Sequence, residues 1–492
     1  MNFNEIPDNW RVPLVWCEID PSRAALTAAA MPYKALVLGY SETGDLDGVP
    51  QRITSAAQAA RLFGPKSLLA AQAAAWFKAN TTTEVYFLPV KKPQGAAAGL
   101  TVTFGGAAEQ GGTIYLYVGD ERVSAYVAAG ATGPEAAEAV YASLLAAGTF
   151  TVSMEADSSA ITVSAAHNGS YANGLMVRSG YYQGEDLPAG LTVAWSGGPG
   201  YDGSPTPDYK IATSLAGVVA FHGENDPARP FQTLIIPGML PPKSGPAGRM
   251  SGGTGVPDIP AAFAGLGDIQ YHVIVSPWTD DATLAALKEI ASERWQALKE
   301  IPTQIIAAAG GAHTALGELG HRHNSPHLTI MGTGGPFTAQ ENNLLLYDGI
   351  STYFVNADGA CEIQRLITTY KENAWGAEDN AYLDLNTVLT LSYLRRSYRV
   401  WMSKRFPRHK LTSNDSNFGY GQAMATPKMI KGETLAWFES MERLGLVENA
   451  DQFRRELMVE RNVNDPCRVD VYLPPDLVNQ LRVLAVQLAF RL

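Results

Sequence analysis

The sequence predicts an α/β fold of the α+β multidomain kind, with an α/β core, an inserted β-rich domain and extended β arms at both ends. Three observations carry this. From Ala35, apolar strand-like runs alternate with helix-like ones. Over residues 96–200 that alternation gives way to short period-two strands in Gly-, Ala-, Thr- and Ser-rich sequence. Beyond residue 200 it returns.

Taken in order, residues 1–30 read as an arm. Val12, Leu14 and Trp16 lie in a run that is apolar enough to seek a partner and too short to bury itself, and Pro13 confines such a strand to a sheet edge. The core begins with a strand at 35–39, helices at 55–63 and 67–78 and a strand at 84–88. Pro93-Gln94-Gly95 and Gly197-Gly198-Pro199-Gly200 bracket the insert, with strands at 113–118, 122–127, 151–155 and 160–165 and one helix near 134–146. The core resumes with a helix near 209–221 and strands at 233–236 and 271–275. Thr279-Asp280-Asp281 opens an amphipathic helix whose Leu284, Leu287, Ile290, Ala291, Arg294 and Leu298 share one face. Strands at 304–308 and 328–331 follow, and Asn356-Ala357-Asp358-Gly359 turns a hairpin. A helix near 385–406 leads to the last region. That region closes on a strand holding Val469 and Val471 and on residues 480–492, where Leu484, Val486, Leu488, Phe490 and Leu492 recur at period two. The expected division is an arm at 1–30, a core at 31–95 and 201–400, an insert at 96–200 and a C-terminal domain at 401–492 whose last strand begins near 466.

Composition narrows the function. With 37 Lys plus Arg against 48 Asp plus Glu the formal charge is −11, which disfavours coating nucleic acid. Cys17, Cys361 and Cys467 are odd in number, distant and without a CxxC pair, which argues against a disulfide framework or a zinc site and suits a reducing cytoplasm. Neither a secretion signal nor an apolar run of membrane-spanning length is read, so no membrane insertion is expected.

Several stretches carry a family likeness. Phe3-Asn4-Glu5-Ile6-Pro7, Arg11-Val12-Pro13 and Glu18-Ile19-Asp20-Pro21-Ser22-Arg23-Ala24 open the chain. Ile53-Thr54-Ser55 through Arg61-Leu62-Phe63-Gly64, Thr81-Thr82-Thr83-Glu84-Val85-Tyr86, Gly112-Thr113-Ile114-Tyr115, Leu187-Pro188-Ala189-Gly190-Leu191 and Arg322-His323-Asn324-Ser325-Pro326-His327 follow. Their order resembles that of Mu-like contractile phage tail sheath proteins. The resemblance implies a non-enzymatic subunit that polymerises as stacked hexameric rings around a tail tube and contracts to drive the tube through the host envelope for genome delivery. It implies an outward-facing insert and arms donated to neighbouring subunits. The implied partners are other copies of the chain, the tail tube protein, and baseplate and tail terminator proteins, with no direct nucleic-acid contact and no cofactor. The implied location is the virion tail, assembled in the host cytoplasm. The competing reading is a cytoplasmic α/β enzyme with a lid-like insert, and a further one a virion decoration protein.

The residues themselves give a physical case for assembly. Two orphan strands can each complete a sheet in an adjacent molecule, a head-to-tail contact that propagates; folding back at home is the alternative. The inter-subunit residues are then Val12, Leu14, Trp16, Val469, Val471, Leu484, Val486, Leu488 and Phe490, with hinges expected at 20–30 and 462–466. Arg395, Arg396, Arg399, Lys404, Arg405, Arg408 and Lys410 form a basic stretch that reads either as a solvated helix face or as a surface meeting acidic groups on the tube or a neighbour. His321, His323 and His327 are read as loop histidines rather than metal ligands, since Pro326 breaks the helix that would gather them. Gly332-Thr333-Gly334-Gly335 is read as a strand-to-helix turn, lacking both phosphate-loop spacings. No GxSxG or HExxH motif supports a catalytic residue. Tyr115, Tyr117, Tyr126, Tyr181 and Tyr182 are read as insert core rather than a carbohydrate platform.

Overall fold

A computed structural model describes residues 33–119, 121–180, 184–197, 220–222, 233–235, 247–310, 313–333, 337–355, 361–419 and 421–489. The body is an eight-stranded sheet ordered Cys361–Arg365, Ile350–Val355, Leu328–Gly332, Gln304–Ala309, Val273–Ser276, Lys34–Gly39, Glu84–Pro89 and Gln51–Arg52. Its six inner strands run parallel, and each edge strand runs antiparallel to its neighbour. Parallel strands joined by helical crossovers are covered on both faces, so they must be apolar throughout rather than alternately. Gln304–Ala309 and Leu328–Gly332 are accordingly buried at every position.

Period two still sorts the two faces. Ala35 and Val37 pack with Ala59, Phe63, Leu69 and Trp76 from the helices Ala56–Phe63 and Leu68–Ala79. Leu36 and Leu38 point the other way, to Trp278, Leu284, Leu287 and Leu316. Both first helices start on serine caps: Ser55 accepts from the Gln58 N–H and Ser67 from the Ala70 N–H. The Asp281–Trp295 helix buries Leu284, Leu287, Ala291 and Arg294 on the expected face. Arg294 is not an intruder there. It donates to Thr303 Oγ1 at 3.2 Å, to the Gly267 carbonyl at 3.1 Å and to the Ile269 carbonyl, tying a loop and a strand start to the helix.

Between Pro89 and Val273 lies the β-rich insert. One antiparallel sheet runs Leu191–Gly197, Gly99–Gly106, Ala160–Ser164, Thr151–Ser153, and the other Ala247–Arg249, Met176–Ser179, Gly112–Val118, Glu121–Val127. The Gly133–Ala147 helix, opened by a Thr132–Glu135 capping box, shares their core of Leu100, Val102, Phe104, Ile114, Leu116, Val140, Leu144 and Ile161. Ala247–Arg249 pairs with Met176–Ser179, so the second sheet takes a strand from well beyond residue 200. Of the insert tyrosines, Tyr117 is buried and donates to Glu185, Tyr115 lies under the Arg122 guanidinium at 4.4 Å, and Tyr126 is exposed. Tyr126 therefore departs from the expected core role, and Tyr181 and Tyr182 lie outside the described residues.

The expected helix near 209–221 is a strand where the chain is described: Ala220–His222 pairs antiparallel with Thr233–Ile235. Ile350–Val355 and Cys361–Arg365 pair as the expected hairpin, its turn lying outside the described residues.

Three buried histidines give the fold a pH dependence. Burial holds His167 and His272 down to about 4 and His327 to about 3, against an ordinary value near 6.5. Nearby cations add to this: Lys92 for His167, Arg396 and Lys34 for His272, and Arg395 for His327. His272 Nδ1 also accepts the Lys34 N–H at 3.0 Å, a bond open only to the neutral ring. The unfolded chain binds these protons first, so stability is full above about pH 6.5 and falls as pH drops toward 4, on the order of 2 kcal/mol per ring. Melting temperatures should fall over that range. A His327→Phe chain, keeping the ring contact with Trp295, should show the shallower slope between pH 6.5 and 5.

Candidate assembly surfaces at the C-terminal end

The Leu385–Arg405 helix joins two bodies. Val388 packs with Tyr370, Tyr382 and Trp295, while Leu394, Tyr398 and Met402 enter a separate core with Trp437, Phe438, Met441, Leu446, Phe453 and Leu477. Trp437, Phe438 and Met441 of that second core come from the Pro427–Arg443 helix, which Thr426 caps by accepting from the Met429 N–H and which Pro427 enters at its first turn. The sequence reading passed over this helix, although Thr-Pro followed by Thr434, Trp437, Phe438 and Met441 is a legible start signal and stripe. Phe438 and Phe453 stack at 3.9 Å to close the core.

Beyond it the chain forms a hairpin, Met458–Arg461 with Val469–Tyr472, that pairs with no other strand among the described residues. Val469 and Val471, expected as donated residues, are thus already paired at home, Val471 opposite Val459. The expected hinge at 462–466 is the hairpin's turn, braced by Asn462 Oδ1, which accepts the Asn464 and Asp465 N–H groups at 2.8 and 3.0 Å, and by Arg461 on the Pro466 carbonyl. So braced a turn is a poor place to absorb dihedral change.

After Asp476–Leu477 pairs with Val447–Glu448, the Val478 N–H reaches the Leu446 carbonyl at 3.2 Å, and backbone pairing ends among the described residues. Residues 481–489 carry no secondary structure and are exposed throughout. Leu481, Val483, Leu484, Val486 and Leu488 are 77–87% exposed. One anchor holds the root: Arg482 Nη2 meets Asp384 Oδ2 at 2.7 Å, on a buried carboxylate also gripped by Arg365. Exposing five aliphatic side chains in nine residues is costly, since burying each stabilises by about 1.5–3 kcal/mol. Val12, Leu14, Trp16 and Phe490 lie outside the described residues.

The basic stretch divides. Arg395 is buried at 3% exposure, donating to the Trp295 carbonyl at 2.8 Å with its guanidinium 4.7 Å from that ring, so it faces inward and not toward a tube or neighbour. Arg399 pairs with buried Glu300 at 2.6 Å, and Arg405 with Glu433 at 3.0 Å. Arg396, Lys404, Arg408 and Lys410 are exposed. Helical spacing accounts for the split, because residues 395, 398 and 402 share the packed side and 396, 400 and 404 the opposite one.

The three histidines also go separate ways. His321 Nε2 meets Asp348 at 2.7 Å, His323 Nε2 meets Asp281 at 2.8 Å, and His327 lies against Trp295. Asp281 is held below the usual carboxylate range by the His323 bond first and by Arg322 beside it. These are joints between helices and turns. Thr338 and Glu341 form a capping box on the helix after Gly332-Thr333, as the strand-to-helix reading requires.

Residues 377–491, the second core and the exposed tail, match the family model of the phage tail sheath C-terminal domain. Over its full length the chain is 29% identical to the Mu-like prophage FluMu tail sheath protein of Haemophilus influenzae, covering 99% of that relative. These two matches support the Mu-like contractile tail sheath family for this chain. Among solved structures, the chain is similar to the sheath tail protein of Desulfitobacterium hafniense, with TM-score 0.39, 10% identity and coverage of 96% of this chain and 100% of that one. It is also similar to the anti-feeding prophage helical sheath in its contracted state, with TM-score 0.42, 9% identity and coverage of 98% and 99%. The family-model match includes the most exposed apolar segment among the described residues.

Proposed function

We propose that this protein is a structural subunit, not an enzyme, that polymerises as stacked hexameric rings around a tail tube and contracts to drive the tube through a host envelope for genome delivery. The observation that carries the reading is the 481–489 segment, exposed, apolar and without backbone partners among the described residues. A neighbouring copy offers such a segment a sheet edge, and the outer edges of the Met458–Arg461 and Val469–Tyr472 hairpin, which pair with no other strand among the described residues, are of the right kind. At about 3.3 Å per residue, nine residues reach roughly 30 Å, enough to cross to an adjacent subunit while Arg482 stays on Asp384.

In this reading the insert faces outward, residues 1–30 form the second donated arm, and the exposed part of the basic stretch guides docking on acidic groups. The partners are further copies, the tail tube, and baseplate and terminator proteins, in a virion tail assembled in the host cytoplasm. Contraction is a rigid-body rotation between two packings, biased by a few kcal/mol per copy and summed along the polymer. The test is negative-stain microscopy of the purified chain. Tubes or long stacked-ring polymers are expected; a small discrete oligomer would favour the enzyme reading instead.

A further inference from the structure

The loop between Tyr370 and Asn380 is built to hold one side chain in water. Glu372 and Glu378 face each other across an antiparallel bridge, and the Asn373 N–H donates to the Ala377 carbonyl at 2.9 Å. Asn373 Oδ1 accepts the Trp375 and Ala377 N–H groups at 3.0 and 3.2 Å. Asn324 clamps the root, its Oδ1 accepting from the Lys371 N–H at 2.7 Å and its Nδ2 donating to the Glu372 carbonyl at 2.7 Å. The Tyr370 hydroxyl donates to Asp379 at 2.7 Å. At the tip Trp375 is 89% exposed, more than any other Phe, Tyr or Trp among the described residues. A loop so braced has already lost the entropy that binding would otherwise cost.

Its charge is only partly offset, by Lys371 beside Glu372. Like charges directly opposite each other are destabilising, yet the exposed Glu372 and Glu378 make no ion pair among the described residues. Lys371, whose charge interacts with Glu372, places its ammonium on His321 Nδ1 at 2.7 Å and the Asp348 carbonyl at 3.2 Å rather than pairing with either carboxylate.

The complement lies on the same chain at a distance. Arg396, Val400 and Lys404 form one exposed stripe at i, i+4 and i+8, with Arg408 beyond. A few residues after the loop, Asp384 takes the cap position at the start of the helix. At about 1.5 Å per residue, Arg396 lies roughly 18 Å and Lys404 roughly 30 Å along its axis. The tip stands only about 10–13 Å above the loop root. We infer that Trp375 docks on the Arg396, Val400 and Lys404 stripe of a second copy of this chain, with Glu372 and Glu378 meeting its cations. An indole face takes a guanidinium or ammonium well, and Val400 supplies apolar contact. The knob adjoins the start of the long helix and the stripe its second half, so the contact is head-to-tail and propagates. It rests on the assembly reading and adds a rigid contact to the donated tail.

The full chain tests it by sedimentation and microscopy, with circular dichroism to verify folding. Trp375→Ala should raise the concentration needed for polymerisation about tenfold or more, and Trp375→Phe by less. Glu372→Lys with Glu378→Lys should impair assembly, as should Arg396→Glu with Lys404→Glu, and the four changes combined should restore it. Unchanged polymerisation of Trp375→Ala, or a combined reversal no better than either half, overturns the contact. If the parent chain itself does not polymerise, the assembly reading falls and the contact with it. If the parent polymerises and the loop variants match it, only the contact falls.

Discussion

Deleting residues 481–492 is expected to leave a folded chain that no longer forms sheath polymers. Buried in a neighbour, the five aliphatic side chains of this segment would contribute roughly 10 kcal/mol before ordering costs. That is comparable with the whole stability of a folded domain. Within its own subunit the segment contributes little: it adds nothing to the core of Trp437, Phe438 and Phe453, and among the described residues its side-chain tie is Arg482 on Asp384. Melting temperature should therefore change little while polymer yield drops at least a hundredfold. Changing Leu484, Val486 and Leu488 together to Ser, with Arg482 kept, should do the same, which separates apolar burial from the anchor.

The second large effect is expected where the long helix meets the α/β body. Arg395 sits 3% exposed against Trp295, and its neighbour Arg396 faces water. Arg395→Glu would place a carboxylate against an aromatic face and a backbone carbonyl, at a cost of about 4 kcal/mol in urea denaturation. Arg396→Glu should stay within about 0.5 kcal/mol. Arg399→Ala falls between, at about 3 kcal/mol, because it strips a guanidinium from buried Glu300. Equal effects at 395 and 396 would mean the helix is turned differently. It follows that an assembly test by charge reversal must use Arg396, Lys404 and Arg408; reversing Arg395 or Arg399 would disturb the fold first.

Legibility in the sequence followed the strength of local pattern. The parallel strands were readable because burial on both faces demands unbroken apolar runs such as Ile305 to Ala309, and the Asp281–Trp295 helix because Asp280 caps it before a clear stripe. Arg294 was read on the buried face, but its role was not, since Gly267, Ile269 and Thr303 meet it only after folding. The division of the basic stretch could have been found by counting 395, 398 and 402 against 396, 400 and 404. The pairing of Val469 and Val471 at home could not, because an alternating strand looks the same whether its partner is ten residues away or in another molecule. The Trp375 loop was also silent: its rigidity comes from Asn324, nearly fifty residues earlier, and neither side of that contact carries a periodic signal.

The central claim is that residues 481–489 are exposed in the free chain and buried in a neighbour in the polymer. Hydrogen–deuterium exchange of this segment, compared between dilute chain and assembled tubes, tests it directly. The account predicts fast exchange in the free chain and strong protection across Val483 to Leu488 in tubes. Equally fast exchange in both, with tubes intact, would contradict it.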